Sequence, residues 1–400
     1  MPSFSCTITP TPQDLEMTAA IERERLASTF TELCQISTPS RRERPLADHL
    51  VRCFTGLGAD KIYFDQSGAQ TGSDTGNLLI RFAGNAPEID GLFFSCHMDT
   101  VEPGDNVQVV RIGDTFTSGG DTVLGGDDKS GIAALIELMT VLTRSGARHG
   151  MIELVFTTCE EIGLLGTKHL EYSWLRSRYG YALDSTGIDK IIIGAPAANK
   201  IKIDVHGIAA HAGLNPEKGI NAFFLAAKAI AELRLGRLDE QSTSNFGLIR
   251  GGVATNIVPD LITLEGEVRS HSADKLVEYT REIETTFRRT VENWQNPFVE
   301  HQGLPSVDIK VEKEYPAMLL EHTSPVLVRV RQAGRQIGRE LEFVVAGGGS
   351  DANILCSYGL PTAIVATGMN RVHTTDECLD LNDLVSLTEL LHALATHSGE

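Results

Sequence analysis

The stretch Leu92-Phe93-Phe94-Ser95-Cys96-His97-Met98-Asp99 decides the fold. It is almost wholly apolar up to Met98, without the alternation of a strand that has one wet face. A short unbroken apolar run of this kind fits a strand buried on both faces, and such strands belong to α/β sheets covered by helices on either side. The flanking sequence agrees. Apolar residues recur at helical spacing over 14–36 and 44–54, the second closed by Gly56 and Gly58. Short strands are predicted at 61–65, 77–82 and 151–157, and near Ala182 and Ile191. A glycine-rich loop, 119–126, leads into a helix over 130–142, and a further helix is predicted after Glu161. Beyond Pro316 the alternation resumes with helix 326–337, strand 343–346, helix 352–358, strand 363–367 and helix 384–396.

Between these blocks the character changes. Strand 201–205, helix 220–235, strands 246–250 and 262–268, helix 273–294 and strand 307–311 follow a β-α-β-β-α-β order, that of a ferredoxin-like unit. The expectation is a three-layer α/β/α domain built from 1–198 and 315–400, with a smaller α+β domain, 199–314, inserted in it. Four hundred residues suffice for about two cores.

The formal net charge of -18 repels phosphate backbones, so no nucleic-acid partner is expected. A surplus of carboxylates suits metal cations. The seven cysteines, Cys6, Cys34, Cys53, Cys96, Cys159, Cys356 and Cys378, are odd in number and form no CxxC pair, which fits a reducing compartment. Residues 1–15 lack a signal pattern, and no apolar run reaches the ~20 residues that span a bilayer. The chain is therefore expected to be cytoplasmic, without a membrane partner and with a disordered tip before Asp14.

Chemistry gathers at the strand ends. His97 and Asp99 share a strand face, so His97 can ligate a metal while Asp99 accepts a hydrogen bond from its other ring nitrogen. Asp127-Asp128-Lys129 opens a helix after several glycines; one carboxylate can bridge two cations while Asp128 caps the helix. In Cys159-Glu160-Glu161-Ile162-Gly163, two carboxylates after a buried strand need metal or hydrogen bonds to offset burial. One can ligate while its neighbour takes a proton from a water acidified by the metal. Asp184 ends the strand near Ala182, and His373 lies in Val372-His373-Thr374-Thr375-Asp376-Glu377. Taken singly, these are a polar strand end, a cap, a turn and a structural histidine. Together they stand at C-terminal strand ends or in the loops after them, where open α/β sheets place their sites.

In this order, His97-x-Asp99, Gly126-Asp127-Asp128-Lys129, Glu160-Glu161, Asp184 and His373 resemble the motifs of the two-zinc peptidases and deacylases, the family of peptidase T, glutamate carboxypeptidase, aminoacylase and acetylornithine deacetylase. Cys-Glu-Glu-Ile-Gly and His-Thr-Thr-Asp-Glu are most similar to the peptidase T-like branch. The resemblance implies one zinc held by His97 and Asp184, a second by Glu161 and His373, and Asp127 bridging them. It implies Glu160 as general base and then acid, Asp99 as the residue orienting His97, and a cis peptide between Asp127 and Asp128. Cobalt or manganese suits the same donors.

The inserted domain then corresponds to a lid. His211 resembles the lid histidine that stabilises the oxyanion, in its own or the partner subunit. Asn256 and Arg269 resemble substrate-binding positions, and Gly349 and Ser350 lie in a segment, 347–351, that resembles a pocket-lining loop. The implied partners are a short-peptide substrate and a second copy joined through the lid. The expected activity is that of a tripeptide aminopeptidase. A carboxypeptidase or an N-acyl amino acid deacylase uses the same chemistry, and a non-catalytic metal-binding scaffold is the alternative of another class. Cys96 and Cys159 are expected to be small core residues, and His206 a strand end.

Overall fold

The computed structural model describes residues 21–295 and 303–397. The predicted N-terminal tip, Cys6 and the first turns of helix 14–36 lie outside them. The described chain divides into two compact units. One comprises residues up to 194, 319–346 and from 350 on; the other comprises 195–318 and 347–349.

The first unit is built on a nine-stranded sheet. Its central run, in spatial order, is Leu78–Phe82, Ile152–Thr157, Leu92–His97, Gly180–Ala182, Thr362–Val365 and Lys190–Ala195. Alternate residues of one strand enter different cores. Phe94, Leu78, Ile80, Leu154 and Phe156 join the large core, which also holds Leu26 and Phe30 of helix Arg23–Gln35, Ile132 and Leu135 of helix Gly126–Ser145, and Leu384 and Leu391 of helix Leu381–Thr396. Phe93, Leu79 and Val155 point the other way, onto Leu170 and Leu355. Both faces are covered, which is why Leu92–His97 carries no wet face. The architecture is the three-layer α/β/α sandwich that the sequence predicts.

The second unit is a five-stranded antiparallel sheet in the order Gly236–Asp239, Ser242–Gly251, Leu261–Ser270, Ala197–His206 and Ser306–Tyr315. Helices Ala222–Glu232 and Ala273–Glu292 supply Leu225, Ala226, Ile283 and Phe287 to its core. Ile201, Ile203 and Val205 face them, while Lys200, Lys202 and Asp204 take the other face. The chain order is ferredoxin-like, with strand Gly236–Asp239 added at one edge.

Some local expectations change. The helix predicted after Glu161 is one short turn, Leu165–Lys168, and the helix over 14–36 is described as Arg23–Gln35. A small sheet of Val109–Ile112, Thr115–Ser118 and Cys378–Asp380 was not anticipated. Its strands are three or four residues long and partly exposed, too short for periodicity to register. Among the described residues no helix is long and apolar enough to cross a membrane.

Candidate metal and active site

Strands Ile152–Thr157, Leu92–His97, Gly180–Ala182 and Thr362–Val365 are parallel neighbours, so their C-terminal ends lie along one edge. Every end delivers a candidate ligand. His97 closes Leu92–His97, Glu160 and Glu161 follow Ile152–Thr157, Asp184 follows Gly180–Ala182, and His373 lies in the loop after Thr362–Val365. Asp127 arrives from the start of helix Gly126–Ser145, where Asp127 and Asp128 both leave helical geometry and the peptide between them is cis.

Asp127 is the centre of the cluster. Its Oδ1 lies 3.0 Å from His97 Nε2 and its Oδ2 3.2 Å from His373 Nε2. The same His373 nitrogen is 3.1 Å from Glu161 Oε1. Donor atoms of His97, Asp127 and Asp184 all lie within 4.8 Å of one another, and so do those of Asp127, Glu161 and His373. A third group joins His97 with Glu160 and Glu161. Separations of 3.0–3.2 Å are close to the roughly 3.4 Å between two donors on one tetrahedral zinc. Two donor sets sharing one carboxylate fit a pair of cations. The set is mixed nitrogen and oxygen, which suits zinc, manganese or cobalt.

The electrostatics point the same way. Burial, then the charge of Asp127, pushes the Asp184 carboxyl up to about 7. Burial, then the charge of Asp184, pushes Glu160 well above the usual carboxylate range. Burial acts on Asp127 as well, yet hydrogen bonds from His373 and His97 hold it below that range. His373 is raised to about 10 by its bonds to Asp127 and Glu161. Crowded carboxylates thus recruit protons, and divalent cations are the other way to neutralise them.

Asp99 meets His97 chiefly through its main chain. Nδ1 of His97 bonds the main-chain oxygen of Asp99 at 2.9 Å, while the nearer carboxylate oxygen stands 3.6 Å away. A carbonyl oxygen only accepts, so Nδ1 carries a proton and Nε2, facing Asp127, is the nitrogen that could take a metal. The Asp99 carboxylate instead accepts from the main-chain N–H groups of Glu160 at 2.9 Å and Glu161 at 3.2 Å. Asp128 does not cap its helix either: it is fully buried and faces the Cys96 thiol. Cys96 and Cys159 are both buried.

In the second unit His211 is exposed, and its Nδ1 accepts from the N–H groups of Gly213 and Leu214, each at 3.2 Å. Its proton therefore sits on Nε2. Ala212 N donates to the Asn256 oxygen and Val258 N to the Ala210 oxygen, each at 2.9 Å, which brings the His211 loop beside Asn256. Arg269 is ion-paired with Glu267, its Nε 2.9 Å from Oε1 and one Nη donating to Oε2 at 3.0 Å. A Cβ on Gly349 stands 2.3 Å from Tyr315 Cε2, so only glycine fits against that ring. Back in the first unit, the Ser350 hydroxyl caps helix Asp351–Ser357, accepting from Ala352 N at 3.2 Å. That is a use the resemblance did not assign. His206 closes its strand and meets Asp308 at 3.1 Å.

Three supporting carboxylates escaped the sequence reading. Glu377 accepts from Gly125 N at 2.7 Å and Asp127 N at 3.0 Å. Glu43 accepts from Cys159 N at 3.0 Å. Asp351 accepts from the hydroxyls of Thr157 and Thr167. Glu377 and Asp351 lie inside segments the sequence singles out, 372–377 and 347–351, without a role of their own there; Glu43 carried no local signal.

The sequence pattern of Peptidase family M20/M25/M40 matches residues 93–397. YqjE of Bacillus subtilis, itself uncharacterized, is 36% identical over 381 residues, covering 95% of this chain and 100% of that one. The aminopeptidase PepT of Bacillus cereus has the same fold with a TM-score of 0.84 and 34% identity, over 95% of this chain and 100% of its own. A tripeptidase of Staphylococcus aureus has a TM-score of 0.88 and 31% identity, over 95% of this chain and 99% of its own.

Proposed function

Because the chain belongs to Peptidase family M20/M25/M40, and within it to the peptidase T-like branch, we propose that it is a two-zinc aminopeptidase that cleaves short peptides, tripeptides above all. One observation carries the reading: the two oxygens of Asp127 each face a different histidine, as a carboxylate shared by two cations must. His97 and Asp184 would hold one zinc, Glu161 and His373 the other, with Asp127 between; manganese or cobalt suits the same donors. The pair supplies Lewis acidity that polarises the scissile carbonyl and makes water acidic near neutral pH.

The chain's own groups do the rest. Glu160 stands in the cluster without ion pairing of its own among the described contacts, and accepts the proton of the attacking water. Its raised affinity for protons then suits it to hand that proton to the leaving amine. His97, with Nδ1–H fixed on the Asp99 carbonyl, keeps Nε2 directed at Asp127. His211 presents Nε2–H as a donor for the oxyanion, in its own subunit or the partner's. Asn256 and Gly349 would line the substrate site. Arg269 is already ion-paired with Glu267, which favours an aminopeptidase over a carboxypeptidase or deacylase that clamps a terminal carboxylate. Residues 195–318 would act as lid and homodimer contact, and the protein would work in the cytoplasm.

The test is a turnover screen of unblocked tripeptides against N-acyl amino acids, with and without chelator. Tripeptides should be cut, and chelation should abolish it. Glu160→Gln should lower kcat by roughly 100- to 10,000-fold while zinc still binds. Near-normal turnover by this variant refutes the assigned base.

A further inference from the structure

The turn carrying Glu160 belongs to no helix or strand. It leaves strand Ile152–Thr157, and Cys159 adopts a left-handed φ of 54°. A residue with a side chain stays there only where its surroundings over-determine it. Here they do so through three successive main-chain N–H groups. Cys159 N donates to Glu43 Oε1 at 3.0 Å, Glu160 N to Asp99 Oδ1 at 2.9 Å, and Glu161 N to Asp99 Oδ2 at 3.2 Å. Glu43 and Asp99 are both fully buried. The same short segment, Ser40-Arg41-Arg42-Glu43, serves both carboxylates. Ser40 Oγ donates to Asp99 Oδ2 at 2.6 Å, and Arg41 N donates to Glu43 Oε1 at 2.9 Å.

We propose that Glu43 is a positioning residue for hydrolysis: its buried carboxylate clamps Cys159 in the left-handed conformation and so sets where the Glu160 and Glu161 side chains point. This rests on the reading of Glu160 as base. The chemistry around Glu43 calls for hydrogen-bond acceptors. Every neighbour donates a hydrogen bond to it: Cys159 N, the Cys159 thiol at 3.3 Å, Arg41 N, and Ser73 Oγ at 2.5 Å on the other oxygen. A carboxylate only accepts, so all four contacts are satisfied. Glutamine keeps one acceptor for Cys159 N and Arg41 N and can donate its amide to the Ser73 hydroxyl, which then accepts; alanine removes the acceptors altogether. In the alanine variant the turn loses both its hold on Cys159 and its anchor on Ser73. Buried groups left without partners cost more than the bond itself, so the turn should shift. A displacement near 1 Å at a reacting group can lower the rate by about 100-fold.

The experiment compares wild type, Glu43→Gln and Glu43→Ala as full-length, zinc-loaded protein and follows two readouts. With a tripeptide substrate, kcat should fall by about 10- to 100-fold in Ala and by much less in Gln, which keeps an acceptor for Cys159 N, with KM within about twofold of wild type. Amide hydrogen exchange at 159–161 should accelerate by about tenfold or more in Ala while strand Leu92–His97 keeps its protection. The local pattern separates a clamp from a general prop. If kcat stays within about twofold in both variants, the proposal is wrong. It is equally wrong if exchange rises across the whole sheet. Should wild type itself cut no peptide, the proposed function fails and the kinetic role of Glu43 falls with it. That outcome is recognisable, because the turn in wild type would still be protected.

Discussion

Glu377 joins two parts of the candidate metal site that the chain keeps far apart. It lies in the loop that carries His373, and the loop is closed at its base by paired bonds between Asn370 and Cys378, each at 3.0 Å. Its two oxygens take Gly125 N at 2.7 Å and Asp127 N at 3.0 Å, and it is only 1% exposed. Substituting Glu377→Gln keeps the volume and places an amide donor against one of those N–H groups. A hydrogen bond to a charged acceptor contributes about 1.5–3 kcal/mol, so the loss of one frees the helix start by that order. Part of that loss falls on metal-free protein; the remainder appears as weaker zinc binding, for which changes behind a ligand typically cost about 10- to 100-fold. Competition for zinc with a chromophoric chelator measures this directly. The expected dissociation constant is weaker by about 10- to 100-fold, with the second-unit fold intact by circular dichroism. An affinity within about threefold of wild type would mean that Asp127 is placed without Glu377, and the reasoning fails.

Metal removal should carry a pH signature. Asp184 is pushed up to about 7 from ~3.9 in an unfolded chain, and His373 to about 10 from ~6.5. Both hold protons more tightly when folded, so the stability they lend is complete at low pH and is lost as pH rises through those values. Chelated protein should therefore melt lower at about pH 8 than at about pH 6, and zinc, which displaces the same protons, should raise the melting temperature more at the higher pH; a wider gap at the lower pH contradicts the ligand set. Gly349→Ala drives a methyl group to 2.3 Å from the Tyr315 ring. It should destabilise residues 195–318 by about 1–3 kcal/mol, read from urea unfolding, and an unchanged midpoint would show that Tyr315 can move aside.

Apolar periodicity separates the strands of the two units. Leu92–His97 and Ile152–Thr157 are continuous apolar runs because both faces are buried, while Leu261–Ser270 alternates because one face is open. That is a local property, legible residue by residue. The convergence of His97, Glu161 and Asp184 has a related reason: parallel strands place their ends on one edge, so polar groups at or just after strand ends come together whatever lies between them. What the chain does with weak or short-range signals was not legible. The turn Leu165–Lys168 read as a longer helix, and the sheet that includes Cys378–Asp380 did not register at all.

The residues that hold the ligands belong wholly to the tertiary structure. Glu377 and Gly125 are 252 positions apart, Glu43 and Cys159 116, and no pattern in either neighbourhood announces the partner. Asp99 shows the same limit at short range. Its place beside His97 followed from strand geometry, but the sequence did not show that its carboxylate would also take the buried N–H groups of Glu160 and Glu161. Sequence determines which faces are apolar and where polar groups interrupt them. Which donor meets which acceptor is decided only when distant backbones pack and every buried N–H must find an oxygen within about 3 Å.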